Sequence, residues 1–374
     1  MIFNIIKIFF FNLKFKLGIV NKDELDNTIY ELVKSQGIVF TKIAQILTSR
    51  TDTSKLLGEY LHNKLASLQD QCNQENYENI NHINYINLKP IASGSICQIF
   101  LIRHNNKISI LKTLVPNIHE QIELGRTNFN FIKNILYYTN YNLYKIINLI
   151  NIDDLNTTIL DHTFLDKEAE NTKKFKEIFH ETNKIIIPEI FYEDEDKIIM
   201  SYEKGIKLNE LKENKKLYKE ALFLIFSFFY ISIKNNILHG DFHHSNFYFI
   251  NDNNELKMIV LDFGIICKIE DEDKKLLMNL FNTEVTGQER NKLYVDILNK
   301  YDIYPKNGGD LLTQKVSINN LFDEIDITKV PIKYISLSIT LPYYKTLVKQ
   351  CGNMKSFLIK LFAYMYKNKF LEYE

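Results

Sequence analysis

The residues whose types and spacing could do chemistry lie in Leu238-His239-Gly240-Asp241-Phe242-His243-His244-Ser245-Asn246, followed by Asp262-Phe263-Gly264. An Asp, an Asn five positions on and an Asp-Phe-Gly about twenty residues later have the spacing of a kinase-type phosphoryl-transfer site. Asp241 can orient an acceptor hydroxyl or take its proton. Asn246 and Asp262 can hold Mg²⁺ against nucleotide phosphates. ATP and Mg²⁺ are therefore the expected cofactors.

Such residues need elements to present them. Asp241 and Asn246 read as a short loop between an apolar helix ending near Leu238 and an apolar strand starting at Phe247. Asp262 follows the apolar strand Met258-Ile259-Val260-Leu261, the context the Asp-Phe-Gly motif requires. Two ordinary Asp turns are the alternative. Lys112 ends the apolar strand Ile108-Ser109-Ile110-Leu111-Lys112, where an ammonium can bind α- and β-phosphates. Glu168, on an expected helix, is the carboxylate best placed in sequence to hold it. A surface lysine at a strand end is the alternative for Lys112. The small-residue run Ala92-Ser93-Gly94-Ser95 occupies the place of a phosphate-covering loop, where small side chains let backbone N–H groups approach an anion. His239, His243 and His244 beside Asp241 also suggest a hydrolytic metal site. No second His/Asp cluster follows to complete one, so His239 and His243 are expected to hydrogen-bond within the loop and fix Asp241.

The rest of the chain bounds these readings. At 374 residues, 45% hydrophobic and 13% aromatic, it can bury a sizeable core in two or three units. Basic and acidic side chains balance at 46 each, which argues against a nucleic-acid partner. The richness in Lys, Asn, Ile, Phe and Tyr is read as codon bias. Cys72, Cys97, Cys267 and Cys351 form no C-x-x-C pair, so neither a disulfide framework nor a zinc knuckle is expected, and a reducing, intracellular setting is. Met1 to Val20 is apolar but interrupted by Asn4, Lys7, Asn12, Lys14 and Lys16, too broken for a span. An interfacial helix meeting a membrane surface and a helix packed on the protein body both stand open.

Residues 24–50 read as helix with a break at Ser35-Gln36-Gly37, and Tyr60 to Leu68 as another. Ile96–Ile102 and Ile108–Val115 read as strands joined at Asn105-Asn106. A helical tract is expected from about 117 to 180, then strands at Ile185–Tyr192 and Lys197–Tyr202. Beyond Gly205 the chain reads mostly helical, with strands at Phe247–Ile250 and Met258–Leu261. The expected fold class is α+β, a bilobal protein-kinase-like fold. Its parts are a helical extension over 1–85, a sheet-bearing lobe with a helical insertion over 86–204, and a helical lobe over 205–374.

Taken together these residues resemble the UbiB/AarF-type atypical kinase family over roughly residues 30–270. Gln36 to Gln45, with Lys42, Ala44 and Gln45, is similar to its Lys-x-Gly-Gln signature. Pro90 to Gln98 resembles its alanine-rich nucleotide loop. Lys112, Glu168, Asp241, Asn246 and Asp262 match its phosphate lysine, Glu partner, catalytic and metal positions. Met200-Ser201-Tyr202-Glu203-Lys204-Gly205 resembles its hinge, which adds Glu203 to the nucleotide-binding residues.

The resemblance implies an ATP-binding, Mg-dependent ATPase or atypical kinase. It implies a role in isoprenoid-quinone (coenzyme Q) or lipid metabolism at mitochondrial, plastid or bacterial membranes, with a lipid or quinone precursor as ligand. It also implies that Lys42 and Gln45 regulate the site from the N-terminal extension. The chain departs from the family pattern at His162 and Phe164, which stand where the family has a Glu-x-Asp pair that engages the signature lysine. Ala44 replaces the signature glycine, Gly94 an alanine, and His244-Ser245 the usual Pro-Gly before Asn246. A pseudokinase scaffold and a membrane-associated accessory protein are the alternatives.

Overall fold

The structure, a computed structural model, describes residues 18–35, 37–48, 58–67, 83–94, 96–139, 144, 152–252, 255–286, 289, 292–293, 296, 344, 347–348 and 350–372. The expected helix of residues 1–20 falls almost wholly outside them. The chain divides into two compact units, Met1–Phe164 with Glu195–Lys197, and Leu165–Asp194 with Ile198–Glu374.

The first unit begins with α1 (Lys22–Ser35), α2 (Ile38–Thr48) and α3 (Glu59–Ala66). Asn21 and Glu24 cap α1 reciprocally: Glu24 N–H donates to Asn21 Oδ1 at 2.9 Å, and Asn21 N–H donates to a Glu24 carboxylate oxygen at 3.0 Å. This satisfies two amides that a helix start leaves without partners. The break between α1 and α2 falls at Gly37, whose φ of 81° is unfavourable for other L-residues. Ala44 is buried with Tyr30, Leu61 and Leu65, so its methyl sits in a closely packed three-helix contact.

A hairpin follows, β2 (Cys97–His104) against β3 (Lys107–Leu114), after the two-residue β1 (Ala92–Ser93). The register runs from Cys97 opposite Leu114 to His104 opposite Lys107, and β1 pairs with Gln98 and Ile99 of β2. Asn105 and Asn106 both take positive φ, 48° and 61°, the conformation of the tight turn that matches the strands' right-handed twist. α4 (Ile118–Thr139) packs on α2 at Gly125, where an added Cβ would lie 2.6 Å from a Val39 methyl. α5 (Ile152–Asp161) completes the described part of this unit.

The expected helical tract over 117–180 is divided. α5 stops at a turn in which Thr163 N–H and Oγ1 both donate to Leu160 O, and α6 (Leu165–Ile178) starts anew. The expected strand Ile185–Tyr192 also splits, into β4 (Ile185–Ile186) and β5 (Ile190–Glu193). Pro188 lies between them, has no N–H to donate, and separates residues that pair in different ladders. β4 runs parallel to the later strand β9 (Glu255–Val260), whereas β5 pairs antiparallel with β6 (Lys197–Ser201).

In the second unit α7 (Lys215–Lys234) is the central helix. Asn214 caps it, accepting from Lys216 and Leu217 N–H at 3.1 Å each. Over Ala221–Ile233 it is buried on nearly all sides, as the run of Leu, Ile and Phe demands. It ends four residues before the expected Leu238. Asn236 turns the chain at φ 58°, and Ile237–His239 becomes β7, paired antiparallel with β10 (Ile266–Lys268). Tertiary pairing there overrides an apolar run that helix periodicity would continue. β8 (Phe247–Asp252) and β9 (Glu255–Val260) form a hairpin, giving the order β4-β9-β8. α8 (Asp271–Met278) and α9 (Met354–Lys367) pack on α7.

Two glycines give opposite steric expectations. A Cβ at Gly205 would stand 2.7 Å from Tyr248 Cβ, 3.0 Å from Ile259 Cδ1 and 3.1 Å from Phe249 O. Gly205→Ala is expected to destabilise the protein by about 1–3 kcal/mol through overpacking. At Gly94 a Cβ would meet only Cys97 O, at 3.6 Å, and φ is not positive. Gly94→Ala is expected to change stability by less than about 0.5 kcal/mol. Urea denaturation of both variants checks the contrast.

Candidate functional site

The residues that the sequence assigns to phosphoryl transfer are held in the second unit by two loops tied together at several points. The first loop, Gly240–Asn246, leaves β7. Gly240 N–H donates to Ile265 O at 2.9 Å, which joins it to the second loop, Leu261–Ile265. Leu261 N–H donates to Asn246 O at 2.8 Å, closing the other end. Between these ties lies His239, fully buried. Its Nε2 is 3.0 Å from Leu261 O, and its Nδ1 accepts the Asp241 N–H at 3.2 Å. Only the neutral ring with hydrogen on Nε2 satisfies both contacts. Both nitrogens are thus used on backbone, so His239 is not a metal ligand. It holds Asp241 in place, as the sequence leads one to expect.

Asn246 is buried and donates its Nδ2 to Asp241 O at 2.8 Å, with Asp241 Oδ2 and His243 Nε2 each at 3.4 Å. Its amide nitrogen is used inside the loop, which leaves Oδ1 as the atom that could meet a cation. Burial acts to raise the Asp241 carboxyl and the Asp262 charge adds to that. The hydrogen bond of His243 leads the influences that outweigh both and hold it below the ordinary carboxylate range. Asp241 is therefore a carboxylate, suited more to orienting a hydroxyl than to taking its proton.

Asp262 sits at φ 61°, in the left-handed region that a non-glycine residue enters only when its surroundings enforce it. Those surroundings are the Leu261 contacts on one side and the buried Phe263 on the other. Phe263 packs on Phe175 with ring centroids 4.6 Å apart and on His239 at 5.1 Å. Phe175 belongs to α6, the helix that carries Glu168 in its first turn. Asn171, one turn after Glu168, donates its Nδ2 to Phe263 O at 3.0 Å. A Cβ placed on Gly264 would lie 3.4 Å from both Glu168 Oε2 and Asp262 Oδ1, so these carboxylates flank that glycine. Glu168, Asn171 and Phe175 follow helical spacing and fasten one side of α6 to the Asp-Phe-Gly loop. Asn171 and Phe175 carry no signal for chemistry. Their i+3 and i+7 offsets from Glu168 are what could have marked them.

The remaining expected site residues lie elsewhere. Lys112 is in the first unit, two residues inside the end of β3, and only 8% exposed. A surface lysine is thereby excluded. Glu168 is likewise buried, at 6% exposure, near the start of a helix whose dipole favours its charge. In the loop Ala92–Ser95, Ser95 lies outside the described residues. Gly94 N–H is used on Cys97 O at 2.8 Å, so that amide is not free for phosphate. Gly94 makes this turn with ordinary φ and does not use the positive φ open to a glycine. Lys42 is half-buried on α2, and the side chain of Gln45 lies outside the described residues. His162 and Phe164 are half-buried in the turn between α5 and α6. Glu203 is half-buried just after β6.

The donor set fits Mg²⁺. Asp262 and Asn246 offer hard oxygen ligands, and Mg²⁺ at nucleotide sites takes one or two such protein ligands with phosphate oxygens and water. Among the described residues no three His, Cys, Asp or Glu side chains form a metal-binding group by themselves.

Burial lowers the His239 pKa below its ordinary 6.5, against the opposing pull of Leu261 O, Asp262 and Asp241. Below about pH 6.5 the unfolded chain takes up a proton that the folded ring resists, so stability falls as pH drops and is unaffected by this group above that range. Wild-type unfolding free energy is expected to decline between pH 7 and 5 more steeply than that of His239→Gln. Equal slopes in urea titrations would remove the neutral, buried imidazole.

Comparison with known proteins identifies the family. Residues 57–295 match the family model of the ABC1 atypical kinase-like domain. A Vibrio cholerae protein named probable protein kinase UbiB is 26% identical over 270 residues, 66% of this chain and 48% of its own length. A Shewanella woodyi protein of that name is 26% identical over 288 residues, 70% of this chain and 51% of its own. The chain thus spans about half the length of the curated relatives it matches. A solved Mycobacterium tuberculosis protein, in complex with erythromycin, aligns at a TM-score of 0.44 and 13% identity over 76% of this chain and 78% of its own. With the matched region covering both chemistry-bearing loops, the chain belongs to the ABC1 atypical kinase-like family, of α+β kinase-like fold.

Proposed function

We propose that this protein binds Mg-ATP and transfers or hydrolyses the γ-phosphoryl group. The observation that carries the reading is the single hydrogen-bonded frame holding Asp241, Asn246 and Asp262. A bound Mg²⁺ would neutralise charge developing on the phosphates, with Asn246 Oδ1 and the Asp262 carboxylate as its protein ligands. Asp241 orients the attacking oxygen, either an acceptor hydroxyl or water. Its lowered pKa is no handicap in a loose phosphoryl transfer, where positioning and charge stabilisation matter more than proton removal. Lys112 is assigned to the nucleotide phosphates and Glu168 to its support. The Ala92–Ser95 loop and Glu203 are assigned to nucleotide binding.

For the acceptor, the resemblance favours a lipid or quinone precursor over a protein side chain, with action at a membrane surface and in quinone or lipid metabolism. No helix among the described residues is long and apolar enough to cross a membrane. His162 and Phe164, in place of a carboxylate pair, favour a second reading in which Lys42 and Gln45 no longer restrain the site as in relatives, or in which the chain binds nucleotide without turnover.

Mg-ATP at about a hundred times its dissociation constant is expected to stabilise the protein by roughly 2.7 kcal/mol. Asp262→Asn is expected to lower Mg-dependent phosphate release by about a hundredfold. Thermal shift and phosphate release, with and without quinone- or lipid-bearing vesicles, check both. No shift at millimolar Mg-ATP would overturn nucleotide binding. A shift without phosphate release, in wild type and Asp262→Asn alike, would favour the scaffold.

A further inference from the structure

The carboxylate of Asp241 is held asymmetrically. Its Oδ2 takes both side-chain contacts, from Asn246 Nδ2 and from His243 Nε2, each at 3.4 Å. Its Oδ1 accepts no hydrogen bond from any described residue. The Asp241 and His243 side chains are about equally open to solvent, 31% and 34% exposed. Phe242 between them is fully buried, stacked 4.9 Å from Phe247 and 5.2 Å from Phe228. The core thus clamps the backbone between the two side chains, while both stay accessible.

The His243 ring is itself oriented. Ser245 N–H donates to its Nδ1 at 3.2 Å. In the neutral ring Nδ1 is then bare, and Nε2, which lies 3.4 Å from Asp241 Oδ2 and 3.4 Å from Asn246 Nδ2, carries the hydrogen. Ser245 is one of the two residues standing where relatives of this chain are expected to have Pro-Gly. A proline in place of His244 would leave this contact intact, because the amide used is that of Ser245.

We infer that His243 is a positioning residue for Asp241, fastening Oδ2 through a directed Nε2–H so that Oδ1 alone is presented to the attacking oxygen. The inference rests on the phosphoryl-transfer reading of this loop and adds to it the atom that meets the acceptor and the residue that selects it. Asn246 cannot do this alone, because its amide nitrogen is aimed mainly at Asp241 O, at 2.8 Å, and its oxygen is wanted for the cation. Without His243 the Asp241 side chain is free to rotate about its Cβ, and the near-attack geometry of the acceptor is sampled less often.

The test compares His243→Gln with His243→Leu. A glutamine amide nitrogen can donate to Oδ2 in place of the imidazole; leucine cannot. His243→Leu is expected to lower kcat for Mg-dependent phosphate release by about tenfold or more, corresponding to one directed interaction. Its KM for ATP, its thermal shift with a non-hydrolysable ATP analogue and its urea midpoint are expected to match wild type. His243→Gln is expected to stay within about threefold of wild-type kcat. Wild-type turnover in His243→Leu, or a loss in His243→Gln as large as in His243→Leu, would overturn the inference. A second measurement is independent of turnover. The ¹⁵N spectrum of the nucleotide-free protein is expected to show His243 with Nε2 protonated and Nδ1 bare, and a change at Nε2 in Asp241→Ala. A ring protonated at Nδ1 alone, or an Nε2 signal indifferent to Asp241→Ala, would overturn it. If the wild type releases no phosphate, the functional reading fails, and the nitrogen spectra still decide whether His243 holds Asp241.

Discussion

A neutral imidazole, buried without solvent contact, bridges the two loops on which the candidate chemistry stands. His239 gives its Nε2–H to Leu261 O and takes the Asp241 N–H on Nδ1, so the residue before Asp262 and the amide of Asp241 are referred to one rigid ring. The tie is durable because an imidazole stripped of water is costly to leave with either nitrogen unpaired. Backbone ties from Leu261 to Asn246 and from Gly240 to Ile265 then act on a frame that is already set. Everything else in the candidate site, from the strained φ of Asp262 to the asymmetric hold on Asp241, depends on that frame.

The frame is seated in aromatic packing. Phe175, Phe228, Phe242, Phe247 and Phe263 are all buried around His239, with ring centroids of contacting pairs between 4.6 and 5.8 Å. Contacts of this kind contribute about 0.5–1.5 kcal/mol each beyond the area they bury. Their functional consequence is geometric. Phe175 stands on the helix that carries Glu168, and Phe263 stands beside Asp262, so one ring contact and the Asn171–Phe263 hydrogen bond lock Glu168 to the Asp-Phe-Gly loop. A helix that could slide by one turn would break both at once.

In the first unit the departures from the family pattern are structurally mild or neutral at two positions. Ala44 fits among Tyr30, Leu61 and Leu65 without displacing them. Gly94 closes its turn with ordinary φ and leaves room for a Cβ, so the glycine's backbone freedom is not used. His162 and Phe164 are of another kind. They lie in a turn whose hydrogen bonds come from Thr163 and its neighbours, and neither brings a carboxylate.

The sequence determined the identity and order of the candidate groups, because their spacing is local: an Asn five positions after Asp241, and a strand before Asp262, suffice to propose the chemistry. It also fixed the Asn105-Asn106 turn and the break at Gly37, where backbone sterics act on single residues. It did not place the end of α7, because an apolar run reads the same as buried helix and buried strand until β10 arrives to pair with it. It did not separate β4 from β5, since only their different partners distinguish them. Nor did it mark Asn171 or Phe175 as parts of the frame. Those roles depend on contacts between segments up to about a hundred residues apart, such as Asn171 with Phe263, and such contacts exist only once the core has closed.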